Sequence, residues 1–267
     1  MTHLVRFSRH DDPTPRVGVV RDDCVTELAG HSTLASLLRE SLADIRALVE
    51  SAGRGIPLAD VVLLPPADGR MEVWAAGRYD AERPDLSFTA TPERLVTDGE
   101  AIGACGHWTF DVAQPELAVV LNAAGEIVGY TVCNDVGSHD IEGENALNPW
   151  QATLVERSCA LAPGIRPAWL VPDPHQLAVR VCQTRGSRVV WAQEASTASL
   201  RRRIPDLASR LFREQRFPDG AVLSTGTGLV PGRDDGLAPG DLVVIEIAGV
   251  GALINPVGRR DVSPSRR

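Results

Sequence analysis

The sequence predicts an α+β protein built mostly from β-strands, and three observations support this. Two apolar runs, residues 117–121 and 127–132, flank a short polar segment with the Gly that a tight turn needs, which indicates a β-hairpin. Alternating residues 177–182 and 187–194, joined through Gly186, indicate a second hairpin. Helical spacing of apolar residues is clear only in two segments. The predicted strands therefore outweigh the predicted helices.

The first 65 residues are predicted to form a small α+β region. Residues 4–7 and 16–20 are short β-like runs. Residues 32–52 carry apolar side chains at helical spacing, with Ser32 or Thr33 as a possible cap, and form either one helix or two with a break near Ser41. The paired prolines at positions 65 and 66 mark the boundary of this region. We expect a main domain over residues 66–260 and a disordered tail over residues 261–267.

The main domain is expected to contain further strands and one amphipathic helix. Residues 71–77 predict a buried strand, residues 242–247 an alternating strand, and Pro205 the start of a helix. Residues 221–230 predict a strand that runs into a Gly-Thr-Gly turn. The turn amides, including that of Gly226, and the hydroxyls of Thr225 and Thr227 can hold a carboxylate or keto oxygen.

Composition excludes several classes of function. A formal net charge of −8 argues against a nucleic-acid partner, and no apolar run reaches the length of a membrane span. The N-terminus lacks the apolar core of a signal peptide, so a cytoplasmic location is expected. The five cysteines include no CxxC pair and predict neither disulfides nor a zinc knuckle. The chain has no lysine, which excludes Schiff-base chemistry.

Two acidic residues mark the ends of the central hairpin. Glu116 stands where the hairpin begins and Asp135 where it ends, so antiparallel pairing would bring the two carboxylates together. Hard divalent cations prefer such oxygens. The alternative is that Glu116 is a strand-edge charge and Asp135 a cap.

The sequence of residues 114–140 resembles that of the fumarylacetoacetate hydrolase superfamily. The later segments STGTGLVP and LAPGDLVVIEIAGVGALINPV share this resemblance. The segment DIEGEN, residues 140–145, resembles its branch of 2-keto-3-deoxy sugar-acid dehydratases. The resemblance covers residues 73–257. It implies rolled β-sheets, a homodimer, Mg²⁺ or Mn²⁺ as cofactor, and a 2-oxo acid or diketone-like substrate that reacts through an enolate.

The resemblance also implies a ligand set, with one departure. The family's metal ligands are two glutamates of an ExE pair and the aspartate of an NDV segment, which correspond here to Glu116 and Asp135. Gln114 stands in the place of the first glutamate and would be a neutral third ligand. Thr227, with Thr225 and Gly226, corresponds to the loop that holds the substrate carboxylate.

Further departures lie in the expected cleft. The dehydratase branch has lysines where this chain has Thr89 and Thr153, which remain candidates for substrate binding. It has an arginine where this chain has His139. The candidate bases for proton abstraction are His139, Glu142 and Glu144. An insertion of some twenty residues that the branch carries after Gly77 is also missing.

Three functions remain open at this point. The first is a metal-assisted lyase that dehydrates a 2-oxo acid. The second is the same scaffold with changed chemistry, a hydrolase, isomerase or cyclase that acts on a larger substrate without metal. The third is a homologue without catalytic activity that only binds a ligand.

Overall fold

The computed structural model describes residues 1–53, 55–76, 86–104, 111–138 and 156–259. It confirms the α+β, mostly β prediction. In the described part of the chain, a 12-stranded sheet lies beside a five-stranded sheet and a two-stranded ladder. The strands are β1 His3–Arg9, β2 Asp12–Arg21, β3 Cys24–Glu27, β4 Ile56–Pro57, β5 Val61–Leu64, β6 Glu72–Ala76, β7 Leu86–Ala90, β8 Ile102–Ala104, β9 Asp111–Val112, β10 Pro115–Leu121, β11 Ile127–Asp135, β12 Gly137–Ser138, β13 Cys159–Leu161, β14 Gly164–Pro167, β15 Ala178–Arg185, β16 Arg188–Ser196, β17 Ala221–Ser224, β18 Asp241–Ile247 and β19 Gly251–Arg259.

The N-terminal strands are continuous with the main sheet. Strand β1 pairs with β2 and β5 of its own region, and it also pairs with β14, where Leu4 lies opposite Ile165. The β-ladder therefore runs from the N-terminal region into the strands of the expected main domain. The sequence signals, which are local, do not indicate this connection.

The helical segment forms two helices, α1 Leu34–Leu37 and α2 Leu42–Ser51. Thr33 caps α1 in a capping box with Ser36, and the Ser41 side chain caps α2 by accepting a hydrogen bond from the amide of Asp44. Of the two alternatives left open by the sequence, the structure shows two helices with a break near Ser41, because Ser41 caps the start of the second helix. None of the helices in the described ranges is long and apolar enough to cross a membrane.

The central hairpin β10–β11 lies between two hydrophobic clusters. Every residue of β10 is buried, since one face of the strand packs in the cluster of Leu117 and Val119 and the other in the cluster of Ala118 and Val120. Gly125 takes φ +79° in the turn, as the sequence predicts for a tight connection. Burial on both faces is typical of a strand in the middle of a protein.

The tip of this hairpin is fixed to the helical region. The Asn122 side chain is fully buried and donates to the Glu40 carbonyl, while its Oδ1 accepts the amides of Ala124 and Glu126. The amide of Ala123 donates to the Leu38 carbonyl at 2.7 Å. These contacts hold one end of the hairpin, so the opposite end, where Glu116 and Asp135 lie, has a defined position.

Helix α3, Ile204–Glu214, covers the cluster between the two sheets. Ile204 and Leu207 are buried there beside Val119 and the inward-facing residues of the five-stranded sheet. Pro205 lies in the first turn, where its missing N–H costs nothing, as predicted.

Asp68 joins three parts of the N-terminal region, and its removal is expected to be costly. Its carboxylate accepts the amides of Leu34 and Ala35 at the start of α1 and pairs with Arg6 at 2.7 Å. We expect Asp68→Ala to lower the free energy of unfolding by about 3 kcal/mol, because it leaves a poorly solvated guanidinium and two unpaired amides. Urea denaturation measures this. Glu50→Ala, which breaks an exposed pair with Arg46, should cost less than about 1 kcal/mol, and equal losses in the two variants would contradict the account.

Candidate functional site

The two carboxylates predicted from the hairpin lie on one face of the sheet. Glu116 on β10 lies directly opposite Cys133 on β11. Asp135 follows Cys133 by two residues and therefore projects from the same face, opposite Cys159 of β13. Glu116 is 5% and Asp135 3% exposed. The prediction that antiparallel pairing brings these two acids together agrees with this register.

Glu116 is held by the end of a neighbouring strand. Its Oε2 accepts a hydrogen bond from the Ser224 hydroxyl and another from the Gly226 amide at 2.9 Å. Strand β17 reaches this position because it pairs with β10, with Ser224 opposite Ala118. Both donors come from a segment more than a hundred residues away in sequence.

Burial destabilises the ionised form of these two carboxylates. Burial and, next, the charge of Asp135 raise the pKa of Glu116 to about 8, although the hydrogen bonds from Ser224 and Gly226 act in the opposite direction. Two buried carboxylates that disfavour one another's charge are stabilised by a cation between them. The electrostatics of the site therefore favour a bound cation.

The thiols beside the carboxylates add no charge. A hydrogen bond with Cys159 and burial raise the pKa of the Cys133 thiol well above its usual value. Both cysteines are free of disulfides and almost fully buried. Cys133 and Cys159 are therefore neutral core residues at pH 7, which leaves Glu116 and Asp135 as the groups of this face that can carry charge.

Gln114 lies next to Asp135, and its predicted role as a third ligand stays a prediction. The backbone carbonyl of Gln114 accepts a hydrogen bond from the backbone amide of Asp135 at 3.2 Å. The backbone amide of Gln114 donates to Asn134 Oδ1, also at 3.2 Å. Its side chain lies against Gly137, where an added Cβ would be 3.0 Å from Gln114 Nε2. The glycine thus makes room for a long side chain at this position.

These residues fit a divalent cation, although the site carries less negative charge than three carboxylates would. Among the residues that the structure describes, no group of three or more His, Cys, Asp or Glu side chains is arranged to hold a metal ion. Glu116 and Asp135 bring two buried carboxylates to one face of the sheet, and a hard divalent cation prefers such oxygens. This pair of oxygen donors fits a hard divalent cation such as Mg²⁺.

Most of the hydrogen-bond donors of residues 225–227 already have acceptors within the protein. The amide and the hydroxyl of Thr225 both donate to the Leu117 carbonyl, at 3.0 and 2.9 Å. Gly226, with φ +84°, turns its amide to Glu116, and Thr227 Oγ1 accepts the amide of Leu229 at 3.0 Å. The turn therefore supports the carboxylate site directly, a role that the sequence does not reveal. The predicted contacts of Thr225, Gly226 and Thr227 with a substrate stay predictions.

Thr89 is the candidate substrate residue with an unusual environment. It lies at an irregularity in the pairing of β6 with β7 and is 3% exposed, and its hydroxyl has no hydrogen-bond partner among the residues that the structure describes. A buried hydroxyl without a partner is costly, which is consistent with a site that receives a polar ligand or water. The candidates His139, Glu142, Glu144 and Thr153, and the segment that follows Gly77, lie outside the described residues.

The pKa of Glu116 predicts how the metal-free protein responds to pH. Between about pH 4.5 and 8, the folded protein keeps a proton that unfolded Glu116 releases, so its free energy of unfolding should fall as pH rises through this window. Urea denaturation in chelator at pH 5, 6.5 and 8 measures the trend. Glu116→Gln, which cannot ionise, should show a smaller fall, and an identical fall in both proteins would contradict the assignment.

Comparison with known proteins gives the site a context. Residues 72–258 match the family described as fumarylacetoacetate (FAA) hydrolase C-terminal, and residues 2–66 match a family described as Rv2993c-like, N-terminal. The chain is 41% identical over 182 residues to a 2-dehydro-3-deoxy-D-arabinonate dehydratase of Saccharolobus solfataricus, over 68% of this chain and 61% of the relative. It is 44% identical over 179 residues to a probable 2-keto-3-deoxyxylonate dehydratase of Haloferax volcanii, over 67% of this chain and 62% of the relative.

The fold resembles solved structures over almost its whole length. A 2-keto-3-deoxy-D-arabinonate dehydratase complexed with magnesium and 2,5-dioxopentanoate superposes with a TM-score of 0.83 at 31% identity, covering 97% of this chain and 99% of that chain. In sequence, by contrast, the matches span only about three fifths of the length of the two dehydratase relatives.

Proposed function

We propose that this chain, which belongs to the fumarylacetoacetate hydrolase family, is a divalent-metal-assisted lyase that dehydrates a 2-oxo acid similar to a 2-keto-3-deoxy sugar acid. The observation that carries the proposal is the buried pair of carboxylates, Glu116 and Asp135, at adjacent strand ends. The names of the two dehydratase relatives and of the magnesium complex support it.

Glu116, Asp135 and Gln114 would hold Mg²⁺ or Mn²⁺ at the end of the hairpin. A bound cation would act as a Lewis acid that polarises the keto oxygen of the substrate. The protein's part is to fix its ligands: Ser224 and Gly226 fix Glu116, and the β10–β11 pairing fixes Asp135 beside Gln114. A prepositioned site of this kind loses less entropy when it binds.

The reaction removes one proton and one hydroxyl group from the substrate as water. Loss of the proton next to the keto group requires a base, and loss of the hydroxyl one carbon further on requires a proton donor. His139, Glu142 and Glu144 are the residues we propose for these transfers. For the substrate itself we propose contacts with Thr89, Thr153 and the turn at residues 225–227, in which Thr227 would face the carboxylate.

The assembly is proposed from the family resemblance. We propose a cytoplasmic homodimer, with an N-terminal region over residues 1–65, a catalytic domain over residues 66–260 and a tail over residues 261–267. Size-exclusion chromatography with light scattering tests the dimer, for which a mass of twice 28.6 kDa is expected.

The activity test uses the substrate class directly. The purified chain, stripped of metal, is incubated with 2-keto-3-deoxy-pentonates and hexonates, with and without Mg²⁺, and the dehydrated product is measured by mass spectrometry. We expect turnover that requires the cation and that a chelator abolishes. Product formation at the same rate in excess chelator would contradict a metal-assisted reaction.

A second candidate function is favoured by a specific observation. Gln114 takes one negative charge from the proposed ligand set, and Thr89, which stands where the dehydratase branch has lysine, takes one positive charge from the cleft. These features fit a metal-independent hydrolase, isomerase or cyclase that takes a larger substrate, or a homologue that only binds its ligand. Substrate turnover that is insensitive to chelator would favour the changed enzyme, and ligand binding without turnover would favour the binding protein.

A further inference from the structure

We propose that Ser224 is a positioning residue of the metal centre, which holds Glu116 so that one defined oxygen of its carboxylate faces the cation. This inference rests on the proposed metal-dependent function and concerns a residue outside the predicted ligand set. Ser224 does not touch the reacting atoms in this account. It acts only through Glu116.

The hydrogen bonds of Glu116 are divided unevenly between its two oxygens. The Ser224 hydroxyl and the Gly226 amide both donate to Oε2. A carboxylate oxygen that accepts two hydrogen bonds is largely saturated, so Oε1 is the oxygen that can approach a cation. The side chain is thereby held in one orientation before any cation arrives.

Ser224 is placed for this task by its strand. In the ladder it lies between Ala118 of β10 and Ala75 of β6, two residues with small side chains. Glu116 projects from the same face of β10 as Ala118, because the two are separated by two positions. Ser224 is 1% exposed, so water does not compete for its hydroxyl.

Removing the hydroxyl should weaken the metal site without removing a ligand. Residues that orient metal ligands through hydrogen bonds typically change metal affinity or activity about 10- to 100-fold when they are replaced. In Ser224→Ala, Oε2 keeps only the Gly226 amide, and the carboxylate gains freedom that cation binding must remove. We expect a loss of Mn²⁺ affinity of about tenfold or more.

Thr131 provides a matched control from the same row of the sheet. It lies opposite Ala118, is fully buried, and donates its hydroxyl to the Ala162 carbonyl at 2.9 Å instead of to Glu116. Thr131→Val removes a buried hydroxyl at similar depth. A loss caused by general loosening of the sheet would appear in both variants, whereas a positioning effect would appear in Ser224→Ala alone.

The experiment is calorimetric titration of Mn²⁺ into four chelator-stripped proteins: the natural chain, Ser224→Ala, Ser224→Thr and Thr131→Val, each checked by thermal denaturation. We expect Ser224→Ala to bind about tenfold or more weakly, Ser224→Thr to recover affinity through its hydroxyl, and Thr131→Val to match the natural chain. Equal affinity of the natural chain and Ser224→Ala would overturn the inference and leave the metal function intact. No binding by the natural chain would overturn the proposed metal function and this inference together.

Discussion

Replacing Asp135 with Asn is expected to abolish Mg²⁺ binding in the millimolar range and to lower kcat/KM by about a thousandfold or more, or roughly 4 kcal/mol. The reason is charge. The proposed ligand set has two carboxylates and one neutral amide, so this change halves its negative charge while the volume of the side chain stays the same. Asp135 is 3% exposed, and water cannot easily replace the lost ligand.

The matched control for Asp135→Asn is Glu246→Gln, which makes the same change of charge on an exposed position of β18. It should bind Mg²⁺ and turn over substrate like the natural chain. Calorimetric titration measures the Mg²⁺ affinity of both variants, and initial rates measure their kcat/KM. If Asp135→Asn kept its metal affinity, the cation would lie elsewhere, and the assignment of the hairpin would fail.

Changing Gln114 to Glu is expected to tighten Mg²⁺ binding by about ten- to a hundredfold, equivalent to roughly 1.4–2.8 kcal/mol. The side chain keeps its length, and the space beside Gly137 already accommodates it. The added carboxylate brings a third negative charge next to Asp135 and Glu116. In the absence of metal, this charge should make the protein less stable, because the three neighbouring acids repel one another.

The added charge of Gln114→Glu is expected to have two opposite effects: tighter Mg²⁺ binding, and lower stability of the metal-free protein. Thermal denaturation in chelator should show a lower midpoint than the natural chain, and saturating Mg²⁺ should reverse the order. Gln114→Met, which keeps the length and removes the oxygen, serves as the control and should weaken binding. Equal Mg²⁺ affinity in all three proteins would show that position 114 does not contact the cation.

The local parts of the fold were predictable because short sequence patterns determine them. The central hairpin follows from two apolar runs around a turn with Gly125, and the pairing of Glu116 with the strand of Asp135 follows from that hairpin. The spacing of residues 32–52 left a break near Ser41 open, and the structure shows that Ser41 caps a second helix there. Each of these features depends on residues within about twenty positions of one another.

The parts that escaped prediction depend on contacts between distant segments. Pairing of β1 with β14 joins residues about 160 positions apart, and the Ser224 hydroxyl meets Glu116 across 108 positions. The sequence of a strand that ends in Ser-Thr-Gly does not indicate which other strand it pairs with. The pattern did predict that Gly226 would expose its amide, but only the sheet order shows that the amide donates to Glu116.

Calorimetric titration of Mg²⁺ into the chelator-stripped natural chain tests whether Glu116 and Asp135 form a working cation site. We predict saturable binding of one cation per chain, with release of protons at pH 7 because the raised pKa of Glu116 keeps that residue protonated without metal. Absence of binding up to millimolar Mg²⁺ and Mn²⁺, at a pH where the protein is folded, would contradict the account.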